Sequence, residues 1–197
     1  MTFELFAALA AFAFVSSITP GPNNMMLMAS GANFGFRRTI PHMLGVGIGF
    51  VVMVLLVGGG LLGLFEAWPV SYTILKAVSI AYLLYLAWRI ANAGAPEGSG
   101  ASARPMTFLE AALFQWVNPK AWTMALTAIA VYAPNQSFAS IALVAVIFGA
   151  VNIPSVGSWT VLGMQLRRFL TNPSRLRAFN VSMALLLVAS LYPVLFA

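Results

Sequence analysis

The stretch FELFAALAAFAFVSSITPGPNNMMLMASGAN, residues 3–33, is apolar toward both ends and interrupted in the middle by Thr19-Pro20-Gly21-Pro22-Asn23-Asn24. One continuous helix of that length would measure roughly 45 Å, against a bilayer hydrocarbon thickness of about 30 Å. It cannot be a single straight span. Two prolines remove backbone donors at the interruption, and Gly21 admits dihedrals closed to other residues. Backbone groups left unsatisfied in lipid cost several kcal/mol each, so such a break must be buried in protein or line a water-filled cavity. Asn23 and Asn24 are suited to cap the helix that restarts there, and its exposed amides and positive dipole end suit a carboxylate. A purely structural proline kink is the bland reading of the same residues.

Outward from this stretch, further apolar runs cover residues 44–64, 70–90, 108–132, 138–162 and 179–196. A transmembrane helix needs about 20 apolar residues, so six spans account for nearly the whole chain of 197 residues. The composition agrees: 61% of residues are hydrophobic and 7% charged, where a soluble domain carries about a quarter charged. The expected fold is therefore an all-α integral membrane protein with the lipid bilayer as its solvent. A net charge of +6 could suit nucleic acid, but the basic residues form short clusters between apolar runs, which is a topology signal rather than a nucleic-acid surface.

Those clusters are Arg37 and Arg38 after the first run, Arg89 and Arg104 around the loop after the third, and Arg167, Arg168, Arg175 and Arg177 after the fifth. The loops after the second and fourth runs contain no Lys or Arg. Because Lys and Arg accumulate on the cytoplasmic side, both termini are expected in the periplasm. Residues 2–17 have no basic start, which reads as a retained helix rather than a secretory signal. The chain has no Cys, and hence no disulfides, thiolate metal sites or Cys nucleophile.

The loop NAGAPEGSGASARP, residues 92–105, has the composition of a flexible linker. It divides a single membrane domain, 1–197, into repeats 1–91 and 106–197. Leu75-Lys76-Ala77-Val78-Ser79-Ile80 is echoed by Leu176-Arg177-Ala178-Phe179-Asn180-Val181, and Pro20 corresponds to Pro119. Three helices per half force the halves to cross in opposite directions, the inverted-repeat plan of secondary transporters, with helices 1 and 4 broken.

The second break reads Trp116-Val117-Asn118-Pro119-Lys120-Ala121-Trp122. Lys120 lies roughly 20 Å along a span beginning near Thr107, too deep to snorkel easily. A lysine there costs about 3 kcal/mol or more and is a functional candidate by default. Its alternative role is to pair with carbonyls freed at Pro119 and hold the fold. The candidate substrate-binding residues are thus Pro20, Gly21, Pro22, Asn23, Asn24, Asn118, Pro119 and Lys120, with Asn23 and Lys120 on a substrate carboxylate and Asn118 in polar contact. The pairs Gly31/Gly35, Gly45/Gly49 and Gly59/Gly63 permit close helix packing, or a homodimer. His42 reads as a solvated interfacial residue. Trp68, Trp88 and Tyr192 read as belt residues near span ends. Trp116 and Trp122 face either substrate or lipid, and Asn152, Pro154 and Ser155 form a polar kink in span five.

The run Pro20-Gly21-Pro22-Asn23-Asn24, continuing through Ala29-Ser30-Gly31-Ala32-Asn33-Phe34-Gly35-Phe36-Arg37 to Gly45, together with Asn118-Pro119-Lys120, resembles the lysine-exporter (LysE/RhtB) family of amino-acid exporters. The resemblance covers essentially the whole chain in length, span number and motif order. It implies efflux of amino acids from the bacterial cytoplasm, driven by proton motive force, with no cofactor. Substrates within such a family include lysine, homoserine, threonine and cysteine. The absence of a deep carboxylate favours a neutral zwitterion over a cationic amino acid. The rival readings are a passive channel and a metal-ion transporter of related architecture. An enzyme is disfavoured for want of a nucleophile and base pair.

Overall fold

The computed structural model describes residues 2–61, 67–93, 104–133, 135 and 137–192, among which all regular structure is helical. Helix α1 (Phe3–Ile18) starts at Thr2, whose hydroxyl accepts from the Leu5 amide, and Glu4 sits in its first turn against the positive end of the dipole. Helix α2 (Pro22–Phe34) restarts the chain with Pro22 in its first turn, bent by 55° from α1. Gly35 alone joins α2 to α3 (Phe36–Leu56). Its φ of 79° is left-handed backbone that favours glycine. A π turn, Val57–Leu61, extends α3. Then come α4 (Val70–Ala91), α5 (Phe108–Phe114) with a 3-10 turn at Gln115–Val117, α6 (Pro119–Tyr132), α7 (Phe138–Arg167) and α8 (Pro173–Ala189).

Three of these helical stretches are long and apolar enough to cross a membrane, namely Phe36–Leu61, Val70–Ala91 and Phe138–Arg167, and the bent α1–α2 pair makes a fourth. The expected span at 108–132 is divided at Asn118, and α8 has 17 residues. Two spans begin earlier than hydropathy indicates. Helix α3 starts at Phe36 rather than near 44, and α8 starts at Pro173 rather than near 179. Hydropathy registers lipid exposure, whereas helices continue through their polar ends. The expected span ends at 62–64 and 193–196, Gly63, and linker residues 94–103 lie outside the described residues.

Helix α7 runs through the middle, packed on α1, α2 and α3; α3 also packs on α5, and α4 pairs with α8. Small residues let these backbones approach. A Cβ on Gly31 would collide with the Thr160 carbonyl, and one on Gly163 with the Met28 carbonyl, so α2 and α7 touch backbone to backbone. Gly45 and Gly49 do the same for α3 against Phe108, Ala111 and Ala112 of α5. Gly59, by contrast, faces open space. Helix α2 is the most enclosed element, buried at Pro22 and from Asn24 to Ala32. Large apolar side chains such as Phe14, Val52, Leu84 and Leu185 point outward, a surface that water would not tolerate and lipid does. This is a multi-pass membrane protein.

Candidate functional site

The break between α1 and α2 frees carbonyls that a membrane interior must satisfy. Side chains from three helices do so. Asn24 Nδ2 donates to the Ser17 and Thr19 carbonyls, both at 2.8 Å. Trp159 Nε1 of α7 donates to the Ile18 carbonyl at 3.0 Å. Lys120 Nζ, reaching across from the first turn of α6, donates to the Thr19 carbonyl at 2.8 Å, to Thr19 Oγ1 at 2.9 Å and to the Pro20 carbonyl at 3.3 Å. The lysine therefore meets the carbonyls of the other break, not those freed at Pro119.

Two roles differ from those the sequence suggests. Asn23 and Asn24 do not cap α2: Gly21 is the N-cap residue, no side chain caps it, and both asparagines lie inside the first turn. From there Asn24 reaches back to the end of α1, and Asn23 turns sideways to exchange bonds with Gln115, Nδ2 to Oε1 at 2.9 Å and Nε2 to Oδ1 at 3.3 Å. Gly21 is extended, φ 179° and ψ 176°, so dihedral freedom is not its function. It makes room, since a Cβ there would lie 2.7 Å from Lys120 Cδ and 3.1 Å from Nζ. In the second break the cap is as a helix start should be. Asn118 Oδ1 accepts from the Lys120 amide at 3.2 Å, and Pro119 occupies the first turn. The two breaks are thus unequal: α6 is capped and α2 is not.

Between the breaks lies a cavity of about 20 Å³, room for about one water, lined among others by Asn23, Asn24, Gln115, Asn118, Lys120 and Asn152. Gln115 and Asn118 are almost wholly buried. Asn152 of α7 donates to Ser17 Oγ at 3.2 Å, while its buried Oδ1 has no partner among the described residues. A buried acceptor without a donor is costly, and Asn152 is among the residues that line the cavity. The sequence shows Asn152 only as a polar patch, and Gln115 escapes notice, although a glutamine three residues before Asn118 in an apolar run is itself an anomaly.

Trp116 and Trp122 pack edge-to-face, 6.0 Å between ring centroids, against the apolar core. Neither lines the cavity. His42 is not solvated: it is 1% exposed, on the inner face of α3, because the helix begins before Arg37 and carries it inward. Glu110 stays at the start of α5, closing a capping box with Thr107 and gripping Arg104 through both carboxylate oxygens, at 2.6 and 2.8 Å. That grip raises the Arg104 guanidinium further above its ordinary pKa. Trp68, Trp88 and Tyr192 are well exposed, as belt residues are.

An all-helical multi-pass membrane fold that gathers buried polar side chains between two helix breaks is suited to passing small polar solutes. The chain belongs to the LysE-type translocator family, whose model matches residues 14–190. It is similar to proteins named "Cysteine/O-acetylserine efflux protein" from Escherichia coli (strain K12) and Shigella sonnei (strain Ss046), each 30% identical over 190 residues, which is 95% of this chain and 96% of the relative. No solved structure matches it. The protein is a translocator and not an enzyme.

Proposed function

We propose that this protein exports small neutral amino acids, of the homoserine, threonine or cysteine type, from the bacterial cytoplasm across the plasma membrane at the expense of the proton gradient. One observation carries the reading: the Lys120 ammonium is bonded to Thr19, 101 residues away, across two helix breaks. The substrate carboxylate takes the uncapped amides of Asn23 and Asn24 together with Lys120, which exchanges the Thr19 and Pro20 oxygens for it. The substrate ammonium takes Asn152 Oδ1. Pro20, Gly21 and Pro22 keep the backbone open beneath the lysine, and Asn118 and Pro119 start α6 so that Lys120 falls in its first turn. Six spans in two inverted repeats, 1–91 and 106–197 about the linker 92–105, complete the reading, with both termini periplasmic. The paired breaks support it, as does the matched packing of α3 on α5 and of α7 on α1.

Charge decides the substrate class. Among the described residues no carboxylate approaches the cavity, since Glu4 lies in the first turn of α1 and Glu110 is held by Arg104. A cationic side chain would cross without a counter-charge. Cysteine and O-acetylserine, which the relatives' names carry, are neutral zwitterions. A cavity with room for about one water favours a gated carrier over an open pore. Export of radiolabelled cysteine, O-acetylserine, threonine, homoserine and lysine from overexpressing cells, with and without an uncoupler, tests this. Neutral substrates should leave and the uncoupler should stop them. Preferential export of lysine, or export indifferent to the gradient, contradicts the proposal.

A further inference from the structure

A second cavity, of about 110 Å³, lies on the other side of α2, toward the ends of the helices where Arg89 and Arg104 sit. It is walled by α2, α3, α4 and residues 104–106, and its polar lining is Ser30, Asn33, His42, Arg89, Asn92 and Arg104. Most of these are engaged. Ser30 bonds Thr39 at 2.9 Å, and Asn33 exchanges bonds with Asn180 at 2.7 and 3.1 Å. Arg104 is committed to Glu110.

Two groups are not. His42 is buried, and neither Nδ1 nor Nε2 has a hydrogen-bond partner among the described residues. A neutral imidazole offers one donor and one acceptor, and leaving both unmet is unfavourable unless something else meets them. Arg89 is held by long contacts, 3.9 Å from Glu110 Oε1, 3.3 Å from the Arg104 carbonyl and 5.8 Å over the Tyr85 ring centroid. Among the described residues the rim carries two guanidinium groups, Arg89 and Arg104, against one carboxylate, Glu110. A loosely held cation at the mouth and an unmet acceptor in the depth are complementary to a carboxylate and an ammonium on one small molecule.

We infer that this cavity is a second binding site for a zwitterionic amino acid, a loading site on the cytoplasmic side in which Arg89 takes the carboxylate and His42 the ammonium. It rests on the export reading. Its residues are separate from the cavity at the breaks, with α2 as the shared wall. Asn33 at one site and Asn23 at the other are ten positions apart on α2, or about 15 Å along the helix. A substrate would therefore occupy this site before the Lys120 contacts open.

His42 is the single histidine of the chain, which makes it a built-in probe. Protein purified by a tag without histidine, labelled with ¹⁵N at the imidazole and held in lipid nanodiscs, is titrated with threonine, O-acetylserine, acetate and ethylamine. The His42 resonances should move saturably with both amino acids and far less with either fragment. The movement should persist in Lys120→Met, and Arg89→Gln should raise the half-maximal concentration roughly tenfold or more. Resonances that stay fixed, while the same protein exports amino acids from cells, overturn the loading site and leave the export reading standing. Movement that vanishes in Lys120→Met overturns it as a separate site. Movement in a protein that exports nothing upholds binding in this cavity and removes the export reading, and with it the loading role.

Discussion

Lys120 has three ammonium protons, and the structure offers three oxygens for them, two from Thr19 and one from Pro20. An arrangement so complete makes the lysine sensitive to anything that moves its stem. Gly21→Ala puts a methyl group against Cδ and Nζ; the flexible stem yields, and the ammonium leaves its oxygens. Normal abundance with export reduced several-fold is the expected outcome in matched cells, and unchanged export would show that the Gly21 gap has no bearing on the lysine. Asn24→Ala differs in kind. It strips the Ser17 carbonyl of its partner and the Thr19 carbonyl of one of two, an expected loss of about 1–3 kcal/mol, read as a lower unfolding temperature in detergent. Proline, glycine and lysine inside apolar runs are anomalies of composition, so the breaks and Lys120 are legible in the sequence. The partners of Asn24, Asn23 and Asn152 are not, because they depend on which helices touch.

At the scale of the elements, α2 and α7 are held by backbone contact rather than by side-chain interlocking. Gly163→Val would drive its side chain into the Met28 carbonyl, and overpacking of this kind costs about 1–3 kcal/mol. Gly59→Ala meets open space and should change stability by less than about 0.5 kcal/mol. Thermal unfolding of the two variants side by side checks the contrast; equal effects would mean that α2 and α7 do not pack this closely. Span order, the near-coincident limits of the third span and the break at Asn118 are readable from hydropathy and proline. The early starts of α3 and α8 are not, since Arg37, Arg38 and Arg175 mark the edge of lipid rather than the end of a helix. That offset is why His42 reads as interfacial and turns out to be buried.

For the whole molecule, the proposed orientation rests on the placement of the arginines, and the proposed repeat on two breaks and two packed pairs. The chain has no cysteine, so single cysteines report topology cleanly. Asn135→Cys should react with a membrane-impermeant thiol reagent in intact cells, and Asn92→Cys should resist it. The reverse pattern would invert the topology and carry the second cavity to the periplasmic side. The central claim is that the two breaks hold one ligand group between them, and export by Lys120→Met at matched abundance tests it most directly. Methionine keeps much of the stem and deletes the charge, and the Thr19 carbonyl retains its bond from Asn24, so the fold should survive. Protein at the normal level with export abolished, and no further loss on adding Asn23→Ala, is the predicted result. Export by Lys120→Met at the normal rate contradicts the account.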